Sequence, residues 1–189
     1  KADAVFREGL ALMKDLGGVY ANNLLHFLGD VKLLKGDRSR AKMIYEESVR
    51  VLRAKGSKSF LAYPLRRLGY LALGESDNAK ALEYFQESLA INTEIGDKRA
   101  VAASLLSLAA LALELGKPEL AARLYGVVES RLESLSVNLI NTDQDQFERI
   151  RIELPAYLDE PTLTLAFTEG WDMGEDHVNE LVKNIFREE

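Results

Sequence analysis

The chain has 189 residues, 47% of them apolar, which excludes wholesale disorder and leaves enough for one domain with a sizeable core. It has no cysteine, which excludes disulfides, thiolate metal sites and thiol nucleophiles and suits a reducing cytosol. Net charge is −6, yet the 13 acidic and 4 basic residues from Thr142 onward put −9 in the tail and +3 ahead of it, a distribution that argues against direct nucleic-acid binding.

In chain order, no charged-then-apolar leader follows Lys1, so no targeting signal is expected. The first residues read as half of a repeat. Ala2, Phe6, Gly9 and Gly17 match Ala41, Tyr45, Ser48 and Gly56 at an offset of thirty-nine. Three fuller copies follow at a constant offset of forty. Leu28-Gly29, Leu68-Gly69 and Leu108-Ala109 share one position pair, and Ala41, Ala81 and Ala121 come twelve residues later. Tyr45, Phe85 and Tyr125 come four residues after those alanines, with Ser48, Ser88 and Val128 three further on.

Apolar residues recur at three and four within each copy, as in Leu24, Leu25, Leu28, Val31 and then Met43, Ile44, Val51. Each copy therefore reads as two amphipathic helices. Gly36-Asp37, Ser76-Asp77 after Gly74, and Gly116-Lys117-Pro118 separate the helices of a copy, and Pro118 suits a helix start. Small residues at Gly29, Gly69 and Ala109 are expected to let a helix approach Ala41, Ala81 and Ala121. The aromatics Tyr45, Phe85 and Tyr125 are expected to fill the gap toward the next copy. Pro64 is expected to start or kink its helix. The longest apolar stretch, Leu105 to Leu113, is broken by Ser107 and falls short of the roughly 18 residues of a membrane span.

After Leu135 the register fails, because Glu148 and Arg149 stand where a further Leu-Gly pair belongs. Asn141-Thr142 with Asp145 predicts a helix start that leads into Phe147, Ile150 and Leu154 on one face. Pro161 opens a second tail helix with Leu163, Leu165, Ala166 and Phe167. Gly174 precedes a third with Val178, Leu181, Val182, Ile185 and Phe186. The expected organisation is a half-repeat over 1–19, units at about 20–58, 59–98 and 99–135, and a helical cap over 136–189 that covers the last apolar face of the array.

The Leu-Gly, small and aromatic positions at these intervals resemble the tetratricopeptide repeat in a lengthened form, with Gly96-Asp97-Lys98 as an inter-repeat turn. Lys32, Ser76 and Pro64 depart from its pattern. The resemblance implies an all-α, right-handed α-solenoid of antiparallel helix pairs. It also implies a concave face lined by the first helix of each unit: Asn23, His26 and Asp30, then Tyr63, Arg66 and Tyr70 with Arg67 adjoining, then Ala103, Leu106 and Ala110. Two tyrosines flanking an arginine suit a binding hot spot, and the apolar lining of the third unit is expected to be covered by the tail. The plainer reading is that Arg66 and Arg67 pair with tail carboxylates.

Further along, Ala121-Ala122-Arg123-Leu124-Tyr125-Gly126, Phe147-Glu148-Arg149 and Ala166-Phe167-Thr168-Glu169-Gly170 resemble the C-terminus of bacterial STAND-class signal-transduction ATPases. That resemblance implies a cytoplasmic sensor segment of a transcriptional regulator that takes a protein, a peptide or a small inducer. Residues matching that family's phosphate-binding loop and DNA-reading helix are not found in this sequence.

No cofactor and no catalytic site is expected. The sequence lacks Gly-x-x-x-x-Gly-Lys-Ser/Thr, Gly-x-Gly-x-x-Gly and His-Glu-x-x-His. His26 with Asp30, and His177 alone, supply too few converging ligands for a metal. Asp172, Glu175 and Asp176 lack the alternation of a calcium loop. The alternatives are a passive oligomerisation scaffold or an α-helical enzyme whose site no spacing reveals.

Overall fold

The computed structural model describes residues 25–184, so Asn23, Leu24, Ile185, Phe186 and the half-repeat over 1–19 lie outside the described residues. Nine α-helices are described: α1 (Leu25–Leu34), α2 (Arg38–Ala54), α3 (Lys58–Leu73), α4 (Asn78–Ile95), α5 (Lys98–Glu114), α6 (Pro118–Leu135), α7 (Asn141–Glu153), α8 (Glu160–Trp171) and α9 (Glu175–Asn184). A short 3-10 turn, Leu154–Ala156, separates α7 from α8. The fold class is an all-α helical repeat. Two compact units divide between Ile95 and Gly96.

The corners between helices repeat more tightly than the helix faces do. Positive φ occurs at Gly36 (76°), Gly56 (65°), Ser76 (61°), Gly96 (72°), Gly116 (68°) and Ser136 (51°), one residue in every twenty. At five of the six the same pair of bonds closes the preceding helix. At Ser76, for example, Ser76 N–H donates to Leu73 O and Asp77 N–H to Ala72 O, both at 3.0 Å. This closure requires a left-handed residue just past the helix end. Asp37, Asp77 and Asp97 follow such a residue and begin the next helix, each accepting a backbone N–H from three residues on. A side chain in the left-handed region costs about 1 kcal/mol. Ser76→Gly is therefore expected to stabilise the chain by roughly that amount, read as a higher urea midpoint at unchanged slope.

In the first unit α1 packs on α2, α2 on α3 and α3 on α4. The core gathers Ala41, Tyr45, Val49 and Leu52 with Leu61, Ala62, Leu65, Leu68, Leu71 and Ile91. The buried face of α2 thus runs through Ala41, Tyr45, Ser48, Val49 and Leu52. The sequence expectation of Met43, Ile44 and Val51 as its apolar face is corrected. Met43 is 67% exposed, because it lies across the helix from that stripe, while Ile44 and Val51 flank it half-buried.

The glycines serve the aromatics of their own pairs. A Cβ on Gly29 would collide with the ring of Tyr45, and one on Gly69 with the ring of Phe85. Ala41 and Ala81 are fully buried. Pro64 sits inside α3, which starts six residues earlier at Lys58. It therefore does not start the helix; lacking an N–H, it leaves one rung of the ladder unmade.

The second unit holds the third helix pair and the tail. α5 packs on α6, α7 packs on α5, and α8 packs on α6. α5 is buried without interruption from Ala102 through Leu113, which includes Ala103, Leu106 and Ala110. Ala109 and Ala121 are fully buried. Ala109 carries the Cβ that Gly29 and Gly69 lack, and Tyr125 stacks on Phe147 of α7 at 4.6 Å between centroids. The Tyr125 hydroxyl is buried with no hydrogen-bond partner among the described residues.

α6 and α8 meet backbone to backbone. A Cβ on Gly126 would strike the main chain of Phe167 and Trp171, and one on Gly170 the main chain of Arg123. Arg123 Nε pairs with Glu169 at 2.6 Å beside this crossing. α7 starts one residue earlier than the sequence suggests. Its N-cap is Ile140 rather than Asn141, and the acidic residue of its first turn is the buried Asp143 rather than the exposed Asp145. The reason is that Asp143 and Gln144 both donate backbone N–H groups to Ile140 O at 2.9 Å. Phe147, Ile150 and Leu154 are buried together. In α8 the N-cap is Asp159, which accepts from Thr162 N–H at 2.9 Å. Leu165 is 62% exposed there, while Ala166 is buried.

Candidate functional site: the accessible face of α1 and α3

From Phe60 onward α3 is accessible at Phe60, Tyr63, Arg67 and Tyr70, and buried at every other position through Leu73. These four recur at three, seven and ten residues, one stripe along a helix of 3.6 residues per turn. Arg66 lies off the stripe. It is 3% exposed, and its guanidinium carbon sits 5.6 Å from the centroid of the Tyr63 ring. α1 meets the stripe with Phe27, which is 40% exposed and 5.8 Å from Tyr63 between ring centroids.

Asp30 ties the two helices together. Its Oδ1 accepts from the Tyr45 hydroxyl at 2.6 Å, its Oδ2 accepts from the Tyr63 hydroxyl at 2.7 Å, and Arg67 Nε lies 3.2 Å from Oδ1. Arg67 also reaches the Tyr45 hydroxyl at 3.5 Å. The carboxylate that meets Arg67 is therefore Asp30, not one from the tail as the plainer sequence reading had it. Burial raises the Tyr45 pKa above the usual phenol range, so this hydroxyl stays protonated and donates. Burial pulls the Arg67 guanidinium down, but Tyr45, Tyr63 and Asp30 together carry it up, and it stays charged.

His26 lies inside rather than on the face. It is 3% exposed, with its ring 4.3 Å from Phe27 and 4.8 Å from Tyr63. Its Nδ1 has no hydrogen-bond partner among the described residues. Burial lowers its pKa from 6.5 to about 4. A depressed histidine costs stability when it must protonate, so stability is full above the unfolded value of 6.5 and falls as pH drops from there toward about 4. Acid titration of the urea midpoint is expected to show a loss on the order of 3 kcal/mol across that window. His26→Phe should flatten it.

Tyr70 is half-buried, its ring edge-on to Phe85 at 5.1 Å. The structure thus brings His26, Asp30, Tyr63, Arg66, Arg67 and Tyr70 to one region and sorts them. Tyr63 and Tyr70 are partly accessible along α3, Asp30 and the largely buried Arg67 are tied to each other, and His26 and Arg66 are buried. Sequence reasoning missed Phe27, Phe60 and the linking role of Tyr45. The spacing of Phe60 to Tyr63, one turn, was the available signal. Among the described residues, no group of three or more His, Cys, Asp or Glu could hold a metal ion. None of the described helices is long and apolar enough to cross a membrane.

The paired helices, the constant offset and the glycine beneath an aromatic now stand together. Residues 60–134 match the tetratricopeptide repeat family model. The match runs from α3 through α6 and supports a tetratricopeptide repeat domain, a protein-interaction fold. The α1–α2 pair lies ahead of the matched residues, yet it shares the offset of forty and the Gly29–Tyr45 packing. No curated protein matches the chain.

Proposed function

We propose that this chain recognises a protein or peptide segment through the accessible stripe of α3 and the adjoining Phe27 of α1. The observation that carries the reading is the sorting of α3. A buried face anchors the helix, and its accessible face carries two tyrosines and a phenylalanine beside the largely buried Arg67, and aromatic residues are enriched at interfaces. Asp30 fixes Tyr63 and Arg67 in place, so the face is preorganised and a guest does not bear the cost of ordering it.

The test is a peptide array probed with the full chain, followed by titration of the peptides it retains. Phe27→Ala and Tyr70→Ala should each weaken those peptides at least about tenfold with the melting temperature nearly kept; unchanged affinity would discredit the face. The larger role we assign is the sensor part of a cytoplasmic regulator that couples a bound partner or small inducer to an ATPase domain. Its support is the resemblance carried by Ala121 to Gly126, Phe147 to Arg149 and Ala166 to Gly170. Coding sequence ahead of Lys1 with a phosphate-binding loop would strengthen it, and an unrelated neighbouring domain would remove it.

A further inference from the structure

We infer that the second unit holds a site for a cationic side chain, the lysine or arginine of a basic partner segment, at Glu129 and Glu133 where α6 faces α7. It is separate from the α1–α3 face and rests on other residues.

Tyr125, Glu129 and Glu133 stand one turn apart along one face of α6. Helix side chains lean toward the N-terminus, so Glu133 leans over the turn of Glu129, and Glu129 over that of Tyr125. Tyr125 is 4% exposed and stacked on Phe147 of α7, and its hydroxyl has no hydrogen-bond partner among the described residues. That hydroxyl faces charge. Burial pushes the phenol up most, Glu129 of its own helix and Glu148 of α7 push it further, and Arg151 opposes them. A phenol so placed keeps a proton to give and lone pairs to offer.

The charges around it do not cancel. Glu148 is already served, accepting from Gln144 at 3.2 Å and from Arg151 Nε at 2.8 Å, and Arg151 is thereby taken up. Glu129 is half-buried, and among the described residues neither its carboxylate nor that of Glu133 makes a hydrogen bond or ion pair. Like charges one turn apart on a helix repel. Burial raises the Glu129 carboxyl, Arg151 works against this, and Glu133 and Glu148 add to it. One positive guest group removes both defects, because it neutralises the pair and brings the carboxylates N–H donors. A metal ion does not fit, since no group of three or more His, Cys, Asp or Glu among the described residues could hold one. The acidic excess of the tail attracts a basic guest to this unit.

The experiment is calorimetric titration of the full chain at low and high salt with three glycine-serine decapeptides, bearing arginine, lysine or citrulline, the uncharged counterpart of arginine. Saturable binding of a charged peptide that weakens with salt is expected, with none of the citrulline peptide. Glu129→Gln with Glu133→Gln should weaken it about tenfold or more without lowering the melting temperature. Asp176 and Glu180 on α9 have the same spacing and are exposed, so Asp176→Asn with Glu180→Gln should change the affinity by no more than about twofold. Equal losses from both pairs would mean diffuse attraction to an acidic tail and would overturn the site. So would unchanged affinity in the Glu129 and Glu133 variant, or no binding of either charged peptide.

Discussion

Gly170→Ala and Gly126→Ala should each destabilise the second unit by about 3 kcal/mol, because each puts a methyl group into a neighbouring main chain that no rotamer change can clear. α8 would have to lift off α6. The readout is built in. The chain has one tryptophan, Trp171 at the end of α8, half-buried with its ring 5.7 Å from Phe167. A red-shifted emission at low denaturant, ahead of the loss of helicity, is expected in both variants. An unshifted Trp171 with an unchanged urea midpoint would show that α6 and α8 do not depend on the glycine crossing. Removing residues 142–189 altogether is the coarser version of the same change. It strips α7 from α5 and α8 from α6, and aggregation is the expected result.

Asp30→Ala should cost the first unit about 3 kcal/mol or more, since it leaves the largely buried Arg67 without its counter-charge and two tyrosine hydroxyls without their acceptor. The Coulomb attraction of the pair is not what is being measured. What the single variant exposes is the penalty of the charge left behind. The double variant Asp30→Leu with Arg67→Met removes both charges and should recover much of the loss, so a double-mutant cycle in urea separates the two effects. A single-variant loss below about 0.5 kcal/mol would mean that water reaches Arg67 and the carboxylate is dispensable.

These two expectations mark what the sequence does and does not disclose. The offset of forty, the helical pairs and the place of Gly29, Gly69, Tyr45 and Phe85 can be read from one line of residues, because a repeat prints the same local packing several times. Asp30 cannot be read that way. Its partners Tyr45, Tyr63 and Arg67 come from two other helices, α2 and α3, and the positions equivalent to Asp30 are Tyr70 and Ala110, so no second copy announces the cluster. Gly126 and Gly170 are hidden for a related reason: α8 lies beyond the repeat register, and only the folded chain brings the two glycines together. The choice between Arg66 and Arg67 turns on a single helical step of about 100°, finer than a motif position resolves. The twenty-residue beat of the corners shows in Gly36, Gly56, Gly96 and Gly116, while Ser76 and Ser136 conceal it.

That beat bears on how such a chain can lengthen. Where the backbone enters the same left-handed conformation at every joint, a stretch of forty residues cut at two joints carries a complete corner at either end. Inserted at a third joint, it meets the incoming chain in the conformation it left, so copying adds a helix pair without inventing a new bend. The surface of each copy is then free to drift, one acquiring a carboxylate that its sisters lack, while the hinges that set its length stay fixed.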